Sequence, residues 1–493
     1  MKLVLTRFAS GAVLALAMSN AAHAQIACES LKGLQLPDVK IVDAVPGNAP
    51  APHCKLTGVI GRETNFAVWL PDAWNGKFVM GGQGGFAGSV ENQALALGAL
   101  QKGYATAGTD TGHKAAGADG SWAYGEMERV VNYAHAAIHR VTEVSKTAVR
   151  ARYGRSPEKS YFAGCSNGGR QGLMAAQRYP DDFDAIVAGA PALDFTGIAA
   201  TFVNVTRKMY PDPGDLSAPV LNQADMSALG KAALASCDKL DGLEDGVMAD
   251  PRACSFDPAR LACKGANADG CLSKPELAAV RAILDGPREN GKTYHVGFPF
   301  GGESHPAGWR TWLAGAKNAV APGVPSLAYG FGVGFMKYFV KQDPDWSYLS
   351  FDLSKLAGEA AWLQKTMSPT NPDLSGFRTS GGKLLMYHGW SDAALSPLMS
   401  IRYVDEVYAR DPSAKDDVRL FMLPGVLHCQ GGPGPDRVDY LDVLDRWATR
   451  GEIPSEMTAS FSSGGSRRVC AYPSQAVYKG AGDGRSPDQF ECK

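Results

Sequence analysis

The chain is 493 residues long, with 49 Lys and Arg against 50 Asp and Glu, 45% hydrophobic residues and ten cysteines. A formal charge near zero excludes the dense basic surface that nucleic acids and anionic membranes recruit. The length exceeds what one ordinary core holds, so two domains, or one large domain carrying an insertion, are expected.

Residues 1–24 read as a secretory signal peptide. Lys2 and Arg7 form a basic start, 11–18 an apolar stretch, and Ala22-His23-Ala24 a small-x-small cleavage site, which places the mature N-terminus at Gln25. The apolar run is too short to span a bilayer, and nothing later supplies about 18 uninterrupted apolar residues. Without Lys2 and Arg7 the formal charge moves from −1 to −3. All ten cysteines lie in the mature part, which fits an oxidising compartment, periplasmic or extracellular, and as many as five disulfides. Metal-thiolate chemistry would call for a C-x-x-C pair, and the sequence has none.

Cys28 and Cys54 bracket a polar, proline-containing opening segment and pair most simply with each other. Strands are expected at 66–70 and 77–80, separated by the turn-rich Pro71-Asp72-Ala73-Trp74-Asn75-Gly76. The second strand runs into Gly81-Gly82-Gln83-Gly84-Gly85-Phe86-Ala87-Gly88. This loop lacks the G-K-[ST] ending of a phosphate-binding P-loop. In a hydrolase it would instead lend a backbone N–H to an oxyanion hole, and Gly84 is the expected donor; otherwise it is a flexible surface loop. A third strand at 104–109 ends in Asp110-Thr111-Gly112-His113, and 130–149 reads as a helix.

In the stretch 159–179 the hydrophobic period changes around a serine. Residues 160–163 form a short apolar strand, whereas Leu173, Met174 and Gln177 fall at helical spacing until Tyr179-Pro180 stops the helix. Between them Gly164-Cys165-Ser166-Asn167-Gly168 matches G-x-S-x-G, a strand-to-helix turn that exposes a nucleophilic hydroxyl at a helix N-terminus. Asn167, the residue after the serine, is the expected second oxyanion donor. The next strand, 185–188, closes on Gly189-Ala190-Pro191. Repeated strand, loop and helix argue for an α/β fold, a mostly parallel sheet with helices on both faces.

From 201 to 377 this rhythm fades. Cys237, Cys254, Cys263 and Cys271 cluster there, and the region reads as an inserted lid domain stapled by disulfides. Its segment 237–247 packs Asp238, Asp241, Glu244 and Asp245 around two glycines, a density of hard oxygen ligands that suits calcium. It is not an EF-hand: counted from Asp241, position three is Leu243 and position twelve Arg252. A solvated acidic turn explains the same residues. Alternation returns over 378–493. A strand at 384–387 leads to His388-Gly389-Trp390-Ser391-Asp392, and one at 419–423 to Pro424-Gly425-Val426-Leu427-His428-Cys429. A helix is expected at 440–449, and Cys470 with Cys492 would tie down the C-terminal tail. The hydrolase core thus comprises 25–200 and 378–493, with the lid between.

Ser166, Asp392 and His428 follow one another in the serine, acid, histidine order of the α/β-hydrolase arrangement, each after an expected strand. His428 would act as general base and then general acid, and Asp392 would hold its tautomer. Cys165 precedes the serine and Cys429 follows the histidine. If Ser166 and His428 meet, their neighbours are close enough for a disulfide that locks nucleophile to base.

Gly-Cys-Ser-x-Gly-Gly with a late His-Cys-x-Gly-Gly resembles the tannase and feruloyl esterase family of the α/β-hydrolase superfamily, over nearly the whole mature chain. The resemblance implies an α/β-hydrolase fold with a large lid, a Ser166–Asp392–His428 triad, and a Cys165–Cys429 disulfide. It also implies the pairs Cys28–Cys54, Cys237–Cys254, Cys263–Cys271 and Cys470–Cys492. A structural calcium ion is implied in the lid, held by the side chains of Asp238, Asp241 and Asp245 and the backbone carbonyls of Leu243 and Val247. The implied activity is a secreted serine carboxylesterase acting on small aromatic esters of the feruloyl or galloyl type. One relative hydrolyses mono(2-hydroxyethyl) terephthalate, gripping its carboxylate with a lid arginine; 321–340 has only Lys337, which disfavours that substrate. Leu395 stands where an aromatic residue would offer ring stacking, and Tyr329, Phe331 and Phe335 either line the acyl pocket or pack the core. A secreted peptidase of the same fold, or a binding module that has lost its chemistry, are the competing classes; the latter would be expected to lack a triad member.

Overall fold

The computed structural model describes residues 25–265 and 270–493; the expected signal peptide, 1–24, lies outside them. Nine strands form one mixed sheet: β1 Val39–Gly47, β2 His53–Ile60, β3 Thr64–Pro71, β4 Lys77–Gly81, β5 Ala105–Thr109, β6 Lys159–Cys165, β7 Ala185–Gly189, β8 Lys383–Gly389 and β9 Val418–Leu423. Their order is β1-β2-β3-β5-β4-β6-β7-β8-β9. Pairing is parallel from β5 through β9 and antiparallel among β1, β2, β3 and β5.

The strands foreseen are those whose side chains are apolar on both sides. β6 and β7 are buried along nearly their whole length, as expected of parallel strands covered on both faces. Successive side chains serve opposite faces. Phe162, Ile186, Met386 and Leu420 pack into one apolar cluster, and Tyr161, Val187, Leu385 and Phe421 into the other. β1 falls inside the polar opening segment expected between Cys28 and Cys54, and β2 starts at its end. β1 is an edge strand, half-exposed and carrying Pro46, so its apolar content is diluted by the solvent-facing residues.

The helix expected at 130–149 runs from Met127 to Tyr153, with a wider π turn at Asn132–Ala136. The boundary placed at 200/201 falls inside the helix Phe195–Met209. That helix packs on the lid helix Leu327–Phe335, so lid and core share an element there. All five expected disulfides form: Cys28–Cys54, Cys165–Cys429, Cys237–Cys254, Cys263–Cys271 and Cys470–Cys492. The last joins two small C-terminal hairpins, Glu456–Ser460 with Ser466–Cys470 and Ala476–Tyr478 with Phe490–Cys492.

Candidate active site

Three loops leave the carboxyl ends of the parallel strands β6, β8 and β9, where ligands collect in open α/β sheets. Ser166 sits between β6 and the helix Asn167–Arg178 with φ +64° and ψ −126°. A non-glycine residue in that region is strained and must be held by its surroundings. Its N–H donates to Gly189 O at 3.0 Å, and its carbonyl accepts from Ala192 and Arg170 N–H. The motif glycines permit the sharp turn: a Cβ on Gly164 would meet backbone atoms of Gly168 at 2.8 Å.

Asp392 follows β8 and His428 follows β9. His428 Nδ1 donates to Asp392 Oδ2 at 2.8 Å, which leaves Nε2 to face the cavity that Ser166 and His428 line together. Asp392 Oδ1 accepts the N–H groups of Ala394 and Leu395 at 2.8 and 2.9 Å. Burial by itself would raise the Asp392 carboxyl. The charges and hydrogen bonds of His428 and His388 outweigh it and hold the group well below the usual carboxylate range. The Cys165–Cys429 disulfide, with Cα atoms 6.0 Å apart across 264 residues, joins the serine loop to the histidine loop.

His388 is a participant that sequence reasoning passed over. It is fully buried at the end of β8. Its Nε2 lies 3.2 Å from Asp392 Oδ2 and 3.0 Å from Leu395 O, and its Nδ1 2.8 Å from Ser400 Oγ. Two acceptors around Nε2 assign the proton there, so the ring donates to Asp392 and accepts from Ser400. A histidine within a strand gives no sequence signal that separates this role from core packing.

The expected oxyanion donor needs correction. Gly84 N–H is committed to Glu91 Oε2 at 3.1 Å, and Gly84 does not line the cavity; Gly85 does. Gly84 O accepts from Ala87 N–H at 3.0 Å, so the trans peptide turns the N–H of Gly85 away from that contact. The Tyr133 hydroxyl donates to Gly85 O at 2.9 Å, and His113 Nε2 lies 2.8 Å from Phe86 O, which fixes the loop from behind. Asn167, the other expected donor, is the first residue of its helix, so its N–H has no intrahelical acceptor. The two positions make an experimental distinction. A Cβ on Gly85, at φ +51°, would stand 2.4 Å from Gly117 O, whereas the nearest atom to one on Gly84 is 4.0 Å away. Gly85→Ala is expected to cut kcat by roughly 100-fold or more and Gly84→Ala far less, as steady-state rates of the two variants will show.

The rest of the cavity is apolar. Phe195, Ile198 and Phe202 come from the helix at the lid boundary, Phe331 and Phe335 from the lid helix, and Leu395 from the acid loop. Trp312 meets the His428 ring edge-on at 4.9 Å and stacks with Phe331. An adjoining cleft of about 780 Å³ shares Gly85, Trp312 and Phe331 and adds Tyr329, Lys337 and Tyr338. Of the aromatic lid residues considered from sequence, Phe331 and Phe335 therefore face the triad cavity and Tyr329 the outer cleft.

In the lid turn, Asp238 accepts Gly246 N–H through both oxygens, Asp241 accepts Leu243 and Ala249 N–H, and Asp245 accepts Val247 N–H while pairing with the buried Arg467. Three carboxylates are thus folded onto one short loop, a donor set that suits a hard cation. Among the described residues no group of three or more His, Cys, Asp or Glu side chains is arranged to hold a metal ion.

A family profile described as tannase and feruloyl esterase matches residues 53–493. Mono(2-hydroxyethyl) terephthalate hydrolase of Piscinibacter sakaiensis is 34% identical, the alignment covering 91% of this chain and 87% of that protein. A probable feruloyl esterase of Arthroderma benhamiae is 36% identical over 86% and 82% of the two chains. The crystal structure of feruloyl esterase B from Aspergillus oryzae superposes with a TM-score of 0.84 at 26% identity, covering 94% of this chain and 99% of that one.

Proposed function

The chain belongs to the tannase and feruloyl esterase family and is a carboxylic ester hydrolase; from that premise we propose that it cleaves esters of aromatic acids through an acyl-enzyme formed on Ser166. The observation that carries this reading is a single cavity in which Ser166 and His428 meet a wall of Phe195, Phe202, Phe331 and Phe335. Such a wall takes up an aromatic acyl group by area burial and ring contact.

In this reading His428 Nε2 takes the proton as Ser166 Oγ attacks the carbonyl. The developing oxyanion is received by the N–H groups of Gly85 and Asn167. His428 then protonates the departing alcohol, which leaves through the outer cleft beside Trp312. Water enters, gives its proton to His428 and attacks the acyl-enzyme, and the acid is released as Ser166 regains its proton. Asp392 stays ionised throughout and holds the imidazolium.

Hydrolysis of methyl ferulate, methyl gallate and mono(2-hydroxyethyl) terephthalate by the purified mature protein tests the proposal. Failure to cleave any of them, by a folded and oxidised sample, would refute it.

We also propose that the lid turn binds calcium as a structural ion, through the carboxylates of Asp238, Asp241 and Asp245 and the carbonyls of Leu243 and Val247. The ion would neutralise crowded carboxylates and staple the turn. Calcium at about 100 times its Kd is expected to add about 2.7 kcal/mol of stability, seen as a rise of a few degrees in Tm that EDTA reverses. An unchanged melting curve in both conditions would sink the assignment. Export to an oxidising compartment is proposed on five disulfides, with no free cysteine among the described residues. None of the described helices is long and apolar enough to cross a membrane.

A further inference from the structure

Two imidazoles converge on one oxygen of the catalytic acid. His428 Nδ1 lies 2.8 Å and His388 Nε2 3.2 Å from Asp392 Oδ2, and the side chains of His388 and Asp392 are both fully buried. His428 lines the triad cavity and His388 does not, so His388 takes no part in bond making. Its proton, on Nε2, also faces Leu395 O at 3.0 Å, while Nδ1 accepts from Ser400 Oγ at 2.8 Å. Ser400 is itself buried, on the helix Pro397–Arg410 that follows the acid loop. The ring is thus pinned from the helix and presents one N–H to two acceptors. Leu395 forms part of the acyl cavity wall. The same cluster holds it at both ends, its N–H on Asp392 Oδ1 at 2.9 Å and its carbonyl on His388.

We infer that His388 is a positioning residue for the reaction that the esterase reading assigns. Its one N–H shares Oδ2 with His428 and holds the Leu395 carbonyl, so it sets both how strongly Asp392 grips the catalytic imidazolium and where the acyl wall stands. A donor at Oδ2 draws electron density from the oxygen that stabilises the imidazolium, and a buried hydrogen bond has no water to replace it. With His388 in place, His428 is a weaker base than Asp392 alone would make it, and it releases its proton to the departing alcohol more readily. Without His388, Leu395 O loses its partner inside the protein, a costly state that the loop relieves by moving. Around the pair, Tyr387 on β8 and Tyr440 stacked on it are both raised by burial. Asp436 on the histidine loop accepts Gly431 N–H, and Arg252, paired with Asp250, lies over the Trp390 ring of the acid loop. From the lid, His295 reaches the helix of Ser400 at Met399 and is pushed down to about 4 by burial, and Glu303, raised by burial, lies beside Gly301, which packs on Ser391. These groups are common to the parent and to variants at 388, so the difference between their pH profiles belongs to His388.

The test is the pH dependence of kcat/KM for phenyl acetate and methyl cinnamate, neither of which titrates, on the full mature chain and two variants. The acid limb of that profile reports His428 in the free enzyme. His388→Met fills the site with an apolar chain and removes the donor. Its acid limb is expected to move up by about half a pH unit or more, and its cinnamate-to-acetate ratio of kcat/KM to fall by about 5-fold or more as the acyl wall loosens. His388→Gln can place an amide N–H where Nε2 stands and is expected to keep both quantities near the parent. A folded His388→Met in which the limb or the ratio stays put would overturn the inference, as would a His388→Gln that departs from the parent as far as His388→Met does. If His388→Met does not fold, nitrogen NMR of the histidine-labelled parent against His388→Gln decides. The ring whose signals vanish must be protonated at Nε2 and bare at Nδ1, and the opposite tautomer refutes the assignment. Cleavage of phenyl acetate without cleavage of methyl cinnamate would instead strike the aromatic-acyl reading, and the acid limb on phenyl acetate would still judge His388.

Discussion

Ser166→Ala is expected to lower kcat by roughly 10⁵- to 10⁶-fold on any ester the enzyme accepts, with little change in KM. The size follows from the unit that Ser166 completes. Without its oxygen, His428 has no nucleophile to deprotonate, and Asp392 has no imidazolium to stabilise. What would survive is the proposed oxyanion pair, Gly85 and Asn167, acting on a water molecule. The fold should survive the change, because Ser166 is held through its backbone N–H and carbonyl, and alanine keeps both. A purified variant with an unchanged Tm that retained more than about one part in a thousand of the activity would remove Ser166 from the mechanism.

Asp392→Asn is expected to cost about 10⁴-fold in kcat, for a reason visible in its contacts. Both carboxylate oxygens already accept: Oδ2 from His428 and His388, Oδ1 from Ala394 and Leu395 N–H. An amide has one NH₂ to place and no vacant acceptor to meet it. Turned toward the imidazoles, it requires His428 to accept at Nδ1, so the ring proton moves to Nε2 and the base can no longer take a proton from Ser166. Turned the other way, it orphans two backbone N–H groups and loosens the loop that carries Leu395. The same substitution has a pH signature. The Asp392 carboxyl is held below its ordinary value in the folded state, so it stabilises the fold above the unfolded value, near pH 4, and that contribution is lost as pH falls through the depressed one. The Tm deficit of Asp392→Asn is therefore expected to be full at neutral pH and to shrink in acid.

The parts of the fold that were legible in the sequence are those with an unmistakable period. β6, β7, β8 and β9 are short runs apolar on both faces, bounded by glycine or turn residues, and each lies within two residues of its expected limits. β1 was not legible, because an edge strand alternates with solvent and its pattern merges with that of a loop. The disulfide between Cys165 and Cys429 could be foreseen because two short-range adjacencies, Cys165 to Ser166 and His428 to Cys429, become one long-range contact if the triad closes.

The oxyanion donor and the acid's second partner were beyond such reasoning. Gly84 and Gly85 are identical in composition and neighbourhood. Glu91 decides between them by taking one N–H, through a seven-residue loop closure that leaves no trace in the glycine pattern. His388 looks like any strand residue until Asp392 and Ser400 are seen on either side of it.

The sequence by itself determined the strand ends, the chemistry placed on them and the cysteine pairs beside that chemistry, because those rest on local period and on neighbours along the chain. Only the tertiary structure decided that Gly85 faces the cavity and that His388 braces Asp392. It alone showed that the buried Arg170 holds the side-chain oxygen of Asn167. Each of these turns on which polar group finds a partner across space, and a hydrogen bond reached by folding has no period to read.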